Sequence, residues 1–415
     1  MMTISRDRGT EGSSRRAAEG APSGGVSPGR AAEGALPGGL SPGRAKAGLY
    51  VHIPFCVKRC AYCGFYSHGG GATPEREEAY TKQICGEIRT RARGYAAGEL
   101  LRPVVDTVYF GGGTPTIFSA GSIERMLEAA RECFDLDENA EISIESNPGT
   151  LTKDKLRALK SAGINRLSIG CQSLDDEILK KIGRIHTADE FLENYENARE
   201  AGFDNINVDL IFSIPGMTMR TWEGTLRKAA DLAPEHISTY SLQIEEGTPL
   251  YESWEQGDLE ETPDDEDRAM YHFAHEFLES AGYRHYEISN FARPGRECRH
   301  NLKYWSMEDY IGIGDGASSF EHGVRSTNPP FEERHVNSPF DCASEYVFTG
   351  LRKREGFTYS GFREYTGADF EDVFGERRGE LLPYLESGAL IDTGEGMKLS
   401  LYGWDISNGI MSVFV

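Results

Sequence analysis

The stretch Leu49-Tyr50-Val51-His52-Ile53-Pro54-Phe55-Cys56-Val57-Lys58-Arg59-Cys60-Ala61-Tyr62-Cys63 sets an apolar run directly before three cysteines at C-x3-C-x2-C spacing. Residues 49–53 read as a short buried strand. Three thiolates on one short loop can hold three irons of a cubane cluster and leave the fourth iron open to a small molecule. Structural zinc sites usually pair two C-x2-C knuckles, and closed iron-sulfur sites use four thiolates, so this lone loop points away from both. Two alternatives stay open: a zinc loop completed by a distant ligand such as His52 or His68, and three unrelated buried thiols.

Outward from this loop the pattern repeats. Short apolar runs at 49–53, 104–110, 141–146, 165–171, 205–212 and 236–243 alternate with helix-like stretches at 75–92, 121–134, 152–161, 188–201 and 218–231. Ser119, Thr152 and Thr187 stand where helix N-caps belong. Alternating strand and helix with right-handed crossovers makes an α/β fold with a curved parallel sheet, a full or partial barrel. Farther on, an acidic stretch leads into a helix over 267–280, where Met270, Phe273, Ala274 and Phe277 form a core-packing stripe. Residues 283–345 are rich in aromatics, Gly and Pro. From about Ser344, helices and short strands at 394–399 and 409–415 suggest a small separate domain.

Residues 1–46 hold a tandem repeat, Arg16 to Gly29 and Arg30 to Gly43, whose Gly, Pro, Ser and Ala content offers almost nothing to bury; it reads as a disordered tail. The expected organisation is therefore this tail, a core over 47–285, a connecting segment over 286–343 and a C-terminal domain over 344–415. The chain has 415 residues and a net charge of -22, which repels nucleic-acid phosphates and anionic membrane surfaces. No apolar run approaches the roughly 18–20 residues that span a bilayer. Eight cysteines without a periodic framework argue for a reducing compartment, and a cytoplasmic location is expected.

Reactive groups in such sheets gather where strands end, at the carboxyl edge. Cys56, Cys60 and Cys63 follow the first run; Gly111 to Pro115 follow the second; Glu145 and Asn147 end the third. Gln172 follows the fourth, Asp209 lies late in the fifth and Gln243 ends the sixth. Glycines at 111–113 let backbone approach a ligand and Thr114 adds a hydroxyl, although a plain turn would look the same. Glu145 and Asp209 suit a ribose diol or an ammonium, and Arg184 suits a carboxylate. Phe55, Tyr62 and Phe65 offer a dry lining.

The segment from Tyr50 to Cys63 followed by Gly111-Gly112-Gly113-Thr114-Pro115 resembles the radical S-adenosylmethionine (SAM) enzymes, in particular the oxygen-independent coproporphyrinogen III oxidases and their heme-chaperone relatives. The resemblance runs from about Gly48 nearly to the C-terminus. It implies a partial (β/α)6 barrel with a small winged-helix-like α+β domain after it. It implies a 4Fe-4S cluster on Cys56, Cys60 and Cys63 with SAM on the open iron. The SAM pocket it implies takes in Tyr50, Phe65, Gly112, Gly113, Thr114, Glu145, Gln172, Arg184, Asp209 and Gln243. Reductive cleavage of SAM to a 5'-deoxyadenosyl radical is the chemistry that such a pair supplies.

The oxidases of this group continue the loop as C-x3-C-x2-C-x-C, and here the position two beyond Cys63 is Phe65. A second clue is His300-Asn301-Leu302-Lys303-Tyr304-Trp305, preceded by Cys298, which matches the H-N-x-x-Y-W motif of the heme-chaperone relatives. Histidine is the commonest axial heme ligand and the two aromatics offer a flat surface, although a lone histidine beside aromatics is more often core packing. The expected function is that of a heme chaperone passing heme to acceptors such as respiratory hemoproteins, with His300 as iron ligand and Cys298 as second choice. The alternative is an oxidase converting coproporphyrinogen III to protoporphyrinogen IX. Further readings are radical chemistry on another substrate, and a purely binding role.

Overall fold

A computed structural model describes residues 45–97 and 102–415. The repeat tail expected over 1–46 lies, but for its last two residues, outside them. Six parallel strands run in sequence order side by side: β1 (Lys46–Ile53), β2 (Val104–Gly112), β3 (Asp135–Ser146), β4 (Arg166–Gln172), β5 (Ile206–Phe212) and β6 (His236–Ser241). Between them lie α1 (Pro74–Ala97), α2 (Ala120–Cys133), α3 (Lys153–Ala162), α4 (Asp176–Lys181), α5 (Ala188–Glu200) and α6 (Met219–Asp231). Each expected N-cap works: the side chains of Ser119, Thr152 and Thr187 accept from Ser122, Lys155 and Glu190 backbone N–H groups, and Glu190 closes a capping box. The short α4, capped by Asp175, is an element that the sequence reading lacked.

The strands are buried on both faces, but the two faces differ in kind. Leu49, Val51, Ile53, Val108, Phe110, Ile144, Leu167, Ile169, Val208 and Ile237 are all fully buried apolar residues. The alternate positions carry Tyr50, His52, Thr107, Tyr109, Glu141, Glu145, Arg166, Ser168, Asn207, Asp209, His236 and Ser238, and the register aligns them: Glu145 opposite Ser168, Ser168 opposite Asn207, Asn207 opposite His236. Side chains alternate across a strand with period two, so the apolar set faces the helices and the polar set faces the lumen. The interior of this partial barrel is a polar channel sealed by hydrogen bonds.

After β6 come α7 (Pro249–Glu255) and α8 (Asp264–Ser280), then a hairpin of β7 (Arg284–Glu287) and β8 (Asn290–Ala292) that pairs antiparallel to β6. The chain then forms α9 (Arg299–Trp305) and returns to the opposite side of the sheet. There β9 (Tyr310–Ile313) pairs parallel to β1, followed by β10 (Ser318–Glu321), β11 (Val324–Thr327) and β12 (Arg334–Val336), giving a 12-stranded sheet. Both flanks of the six-strand core are thus covered by later segments.

The C-terminal region packs α10 (Pro339–Gly350), α11 (Tyr359–Thr366), α12 (Phe370–Phe374) and α13 (Arg378–Glu386) on a small antiparallel sheet of β13 (Phe357–Thr358), β14 (Leu390–Asp392) and β15 (Gly396–Leu399). Phe357, Phe362, Phe370, Phe374 and Phe414 form its core. After α14 (Leu401–Asp405), the strand expected over 409–415 is instead covered largely by a helix, α15 (Ser407–Ser412). Ile410 and Phe414, four residues apart, are the fully buried pair there, which is a helical and not an alternating spacing. No helix among the described residues is long and apolar enough to cross a membrane.

Candidate functional site

The cysteine loop is held in shape by backbone bonds while its sulfurs stay unlinked. Cys56 N–H donates to His68 O, His68 N–H to Pro54 O and Gly71 N–H to Cys56 O, so residues 68–71 clamp the start of the loop. Ala61 ties it to the barrel on both sides, donating to Ile182 O and accepting from Leu250 N–H at the start of α7. All three cysteines are free thiols; Cys56 is buried and the other two are half-buried. Burial pushes the Cys56 and Cys63 thiols up, and the neighbouring sulfurs push the same way. Three thiols on one loop are the donor type that cluster iron takes as thiolates, although among the described residues no three donors are already gathered around a metal position. Donors already face the sulfurs: Arg184 Nη1 lies 3.4 Å from Cys60 Sγ and Thr114 Oγ1 3.6 Å from Cys56 Sγ. The donor set fits a cluster.

Arg184 is the hub of the mouth. Its Nη2 donates to Asn147 Oδ1 at 2.6 Å and to Gly170 O at 2.5 Å, and Asn147 Nδ2 donates to Thr114 Oγ1 at 2.7 Å. Its Nε is buried without a partner. A shallow cleft opens here, lined by Cys60, Thr114, Asn147 and Arg184, with Val57 and Ile185 exposed at its rim. One cation, an unpaired donor and a hydroxyl converging on a cleft suit a ligand carboxylate.

Deeper in the lumen, Glu145 accepts from Tyr109 Oη at 2.9 Å and from Gly112 N–H at 3.1 Å. Burial and the nearby Asp209 raise its carboxyl to about 7. Asp209 accepts from Ser168 Oγ and Asn207 Nδ2, both at 2.8 Å. The glycines of the second loop are there for space. A Cβ at Gly113 would fall 2.7 Å from Phe55 backbone atoms, and Gly112, at φ +111°, would put one 2.5 Å from the His52 ring. Gln172 sits at a bulge with φ +66°, an irregularity that breaks the β4 alternation.

The structure therefore brings Tyr50, Gly112, Gly113, Thr114, Glu145, Gln172, Arg184 and Asp209 to the carboxyl end and lumen of one barrel, beside Cys56, Cys60 and Cys63. Gln243 lies past the end of β6 and is exposed, and Phe65 is 59% exposed, so neither lines a dry interior in this conformation. Phe55 faces away too, packed against Tyr80 and Phe118 in the core.

His300 is enclosed. It is 1% exposed, its Nδ1 pairs with Thr107 Oγ1 at 2.8 Å and its Nε2 with Tyr304 Oη at 2.9 Å, and its ring stacks on Tyr109. Burial lowers its pKa to about 3, keeping it neutral. Glu141 accepts the His300 and Arg299 N–H groups at the start of α9, and Lys303 pairs with buried Asp106. Asp106 and Thr107 lie in the amino-terminal half of β2 and Glu141 pairs opposite Thr107, so α9 plugs the end of the barrel opposite the cysteine loop. Both ring nitrogens of His300 are thus engaged by hydroxyls of the protein. Cys298 is fully buried beside Glu141, and burial pushes its thiol up.

The sequence signature of the radical SAM superfamily matches residues 50–229, and that of the HemN C-terminal domain matches residues 337–406. The heme chaperone HemW of Lactococcus lactis is 34% identical over 379 residues, covering 88% of this chain and 96% of the relative. HemW of Bacillus subtilis is 33% identical, with 88% and 98% covered. The chain belongs to the HemN/HemW group of the radical SAM superfamily. A solved structure of coproporphyrinogen III oxidase (HemN) from Escherichia coli, a radical SAM enzyme, superposes with a TM-score of 0.77 at 25% identity over 90% of this chain and 91% of that one.

Membership of the radical SAM superfamily implies a 4Fe-4S cluster and SAM, and accounts for a barrel whose mouth carries three thiols, a guanidinium and two carboxylates. Sequence reasoning passed over Tyr109, Ser168 and Asn207, which orient those carboxylates. Their signal was present in the two-residue alternation of the strands, hidden because the lumen positions are Tyr, Ser and Asn and not charged.

Proposed function

We propose that the protein is a heme chaperone that binds heme and passes it to acceptor hemoproteins. In this reading Cys56, Cys60 and Cys63 hold a 4Fe-4S cluster, which when bound supplies an open iron and an electron to SAM. Arg184, with Thr114 and Asn147 behind it, orients the carboxylate of SAM; Glu145 and Asp209 accept from its polar hydrogens. Tyr50, Gly112, Gly113 and Gln172 complete the pocket wall, and Phe65 and Gln243 stand at its rim. The observation that carries the reading is Phe65 in the place of the fourth cysteine of the oxidase loop, in a chain about a third identical to HemW proteins over most of its length.

The likeness to HemN favours one rival, oxidative decarboxylation of coproporphyrinogen III. The two separate in one experiment on anaerobically reconstituted full chain. Heme is titrated in and its transfer to an apo-hemoprotein followed by absorption, while a parallel sample receives coproporphyrinogen III, SAM and a reductant. Stoichiometric heme binding and transfer with no protoporphyrinogen is the expected result. Turnover to protoporphyrinogen, or no heme bound, overturns it.

A further inference from the structure

Side chains in the barrel lumen are mostly paired with one another, and Arg166 on β4 is not. It is 1% exposed, its Nε and Nη1 are buried without an acceptor, and among the described residues no ion pair involves it. The groups around it are already engaged. Glu141 accepts from the Arg299 and His300 N–H groups and from the Cys298 thiol, Tyr109 Oη donates to Glu145, and Tyr286 Oη is shared between His236 Nε2 and Cys298 N–H. Burial opposes its charge, but Cys298, Glu141, Tyr109 and Tyr286 raise its pKa, so Arg166 remains a cation. A buried guanidinium with neither counter-charge nor acceptors is costly to keep.

A second orphan stands beside it. Ser143 on β3 pairs in register with Arg166, is fully buried, and its Oγ also lacks a partner. Tyr109 on β2 is in register with Ser143, so Tyr109, Ser143 and Arg166 form one row across the lumen face of three strands. His300 stacks on the Tyr109 end of this row at 5.1 Å, and Arg166 stands two strands away, roughly 10 Å by strand spacing. That is near enough for its charge, after burial and together with Lys303, to keep His300 neutral. Two guanidinium nitrogens and a hydroxyl on adjacent strands, all without acceptors, suit an anion with several lone pairs, and a carboxylate has them. Water can accept from the same N–H groups but brings no charge to balance the cation.

We infer that Arg166, with Ser143, receives a carboxylate at the α9 end of the lumen, and that this carboxylate is a propionate of the carried macrocycle. The identity of the ligand rests on the heme-carrying reading above; the anion site itself does not. The macrocycle then lies along α9, the helix that carries the H-N-x-x-Y-W motif, and its propionate enters as α9 lifts from the row that it covers. A small free anion has the same chemistry and is the other source.

The test uses anaerobically reconstituted full chain, with heme, heme dimethyl ester (both propionates esterified) and formate as probes. Heme is expected to bind the wild-type chain at least tenfold more tightly than the ester does. Arg166→Met, which removes the donors and fills the space with an apolar chain, is expected to bind heme at least tenfold more weakly, to lose the preference for heme over the ester, and to keep the cluster absorbance. Ser143→Ala is expected to weaken heme binding several-fold and to narrow the same preference, and it decides the matter should Arg166→Met not fold. Arg334→Met, which removes an exposed guanidinium on β12, is expected to change neither affinity. For the free source, formate at constant ionic strength is expected to raise the melting temperature of the wild-type chain and not that of Arg166→Met. Formate stabilisation without discrimination against the ester assigns the site to a small free anion. An ester bound as tightly as heme, together with no formate effect, overturns the inference, as does either effect surviving unchanged in Arg166→Met. If the wild-type chain takes up no heme, the carrying function falls, and the formate arm alone decides the anion site.

Discussion

The cysteine loop at the barrel mouth and the α9 plug at the opposite end both drew notice as clusters of chemically able residues, yet they are built in opposite ways. In the loop, hydrogen bonds run mainly through the backbone, and the thiols meet only the long contacts from Arg184 and Thr114. In α9, the side chains themselves are consumed: His300 by Thr107 and Tyr304, Lys303 by Asp106 and Glu308, and the helix start by Glu141. Residue type is shared; unused bonding capacity is not. Side chains that keep bonding capacity leave a motif open to a ligand, and side chains that have spent it on one another tie a motif into the fold.

The sharpest way to break this contrast is at the mouth. Cys60→Ser should abolish the cluster, with iron per chain falling to near zero and the broad charge-transfer absorption lost, while far-ultraviolet circular dichroism stays unchanged; retention of the cluster would remove the site. At the plug the effect should fall on stability instead. Lys303→Met takes the nearest cation from buried Asp106, leaving Arg299 at 3.6 Å and Lys46 at 3.8 Å, and should destabilise by about 1–3 kcal/mol in urea titration, with cluster content per folded chain unaltered.

Glu145 sharpens the comparison, since it belongs to the lumen between the two ends. Its folded pKa is raised, so the folded state holds a proton that the unfolded chain gives up. Stability from this group is whole below about 4.5 and is lost as pH rises to about 7, amounting to about 3 kcal/mol by linkage. Glu145→Gln should flatten that pH dependence in apo protein; an unchanged slope would refute the placement. The smallest effect is reserved for a site remote from both ends. Thr187→Ala removes the cap of α5 and should cost about 1 kcal/mol without altering cluster or ligand binding.

The six core strands and their helices were legible because apolar runs and capping residues are local signals, and the cysteine loop because its spacing is. The polar lumen was not: Arg166, Asn207 and His236 look like ordinary strand residues until the register stacks them. The surroundings of His300 were hidden for a related reason. Its motif is contiguous, but the partners that neutralise it, Thr107 and Glu141, lie about 160 to 190 residues earlier in the chain, and no local pattern reports them. The final helix was missed because Ile410 to Phe414 is too short for periodicity to separate strand from helix.

One pairing has a consequence for how the molecule is made. The outer neighbour of β1, the strand that leads into the cysteine loop, is β9, supplied by Tyr310–Ile313. During synthesis at roughly 5–20 residues per second, that edge waits on the order of tens of seconds for its neighbour. An unpaired edge beside reactive thiols is an invitation to aggregate or to be oxidised. Loading of iron and sulfide is therefore best timed after β9 has paired, when the seam has shut and the thiols stand on a finished wall.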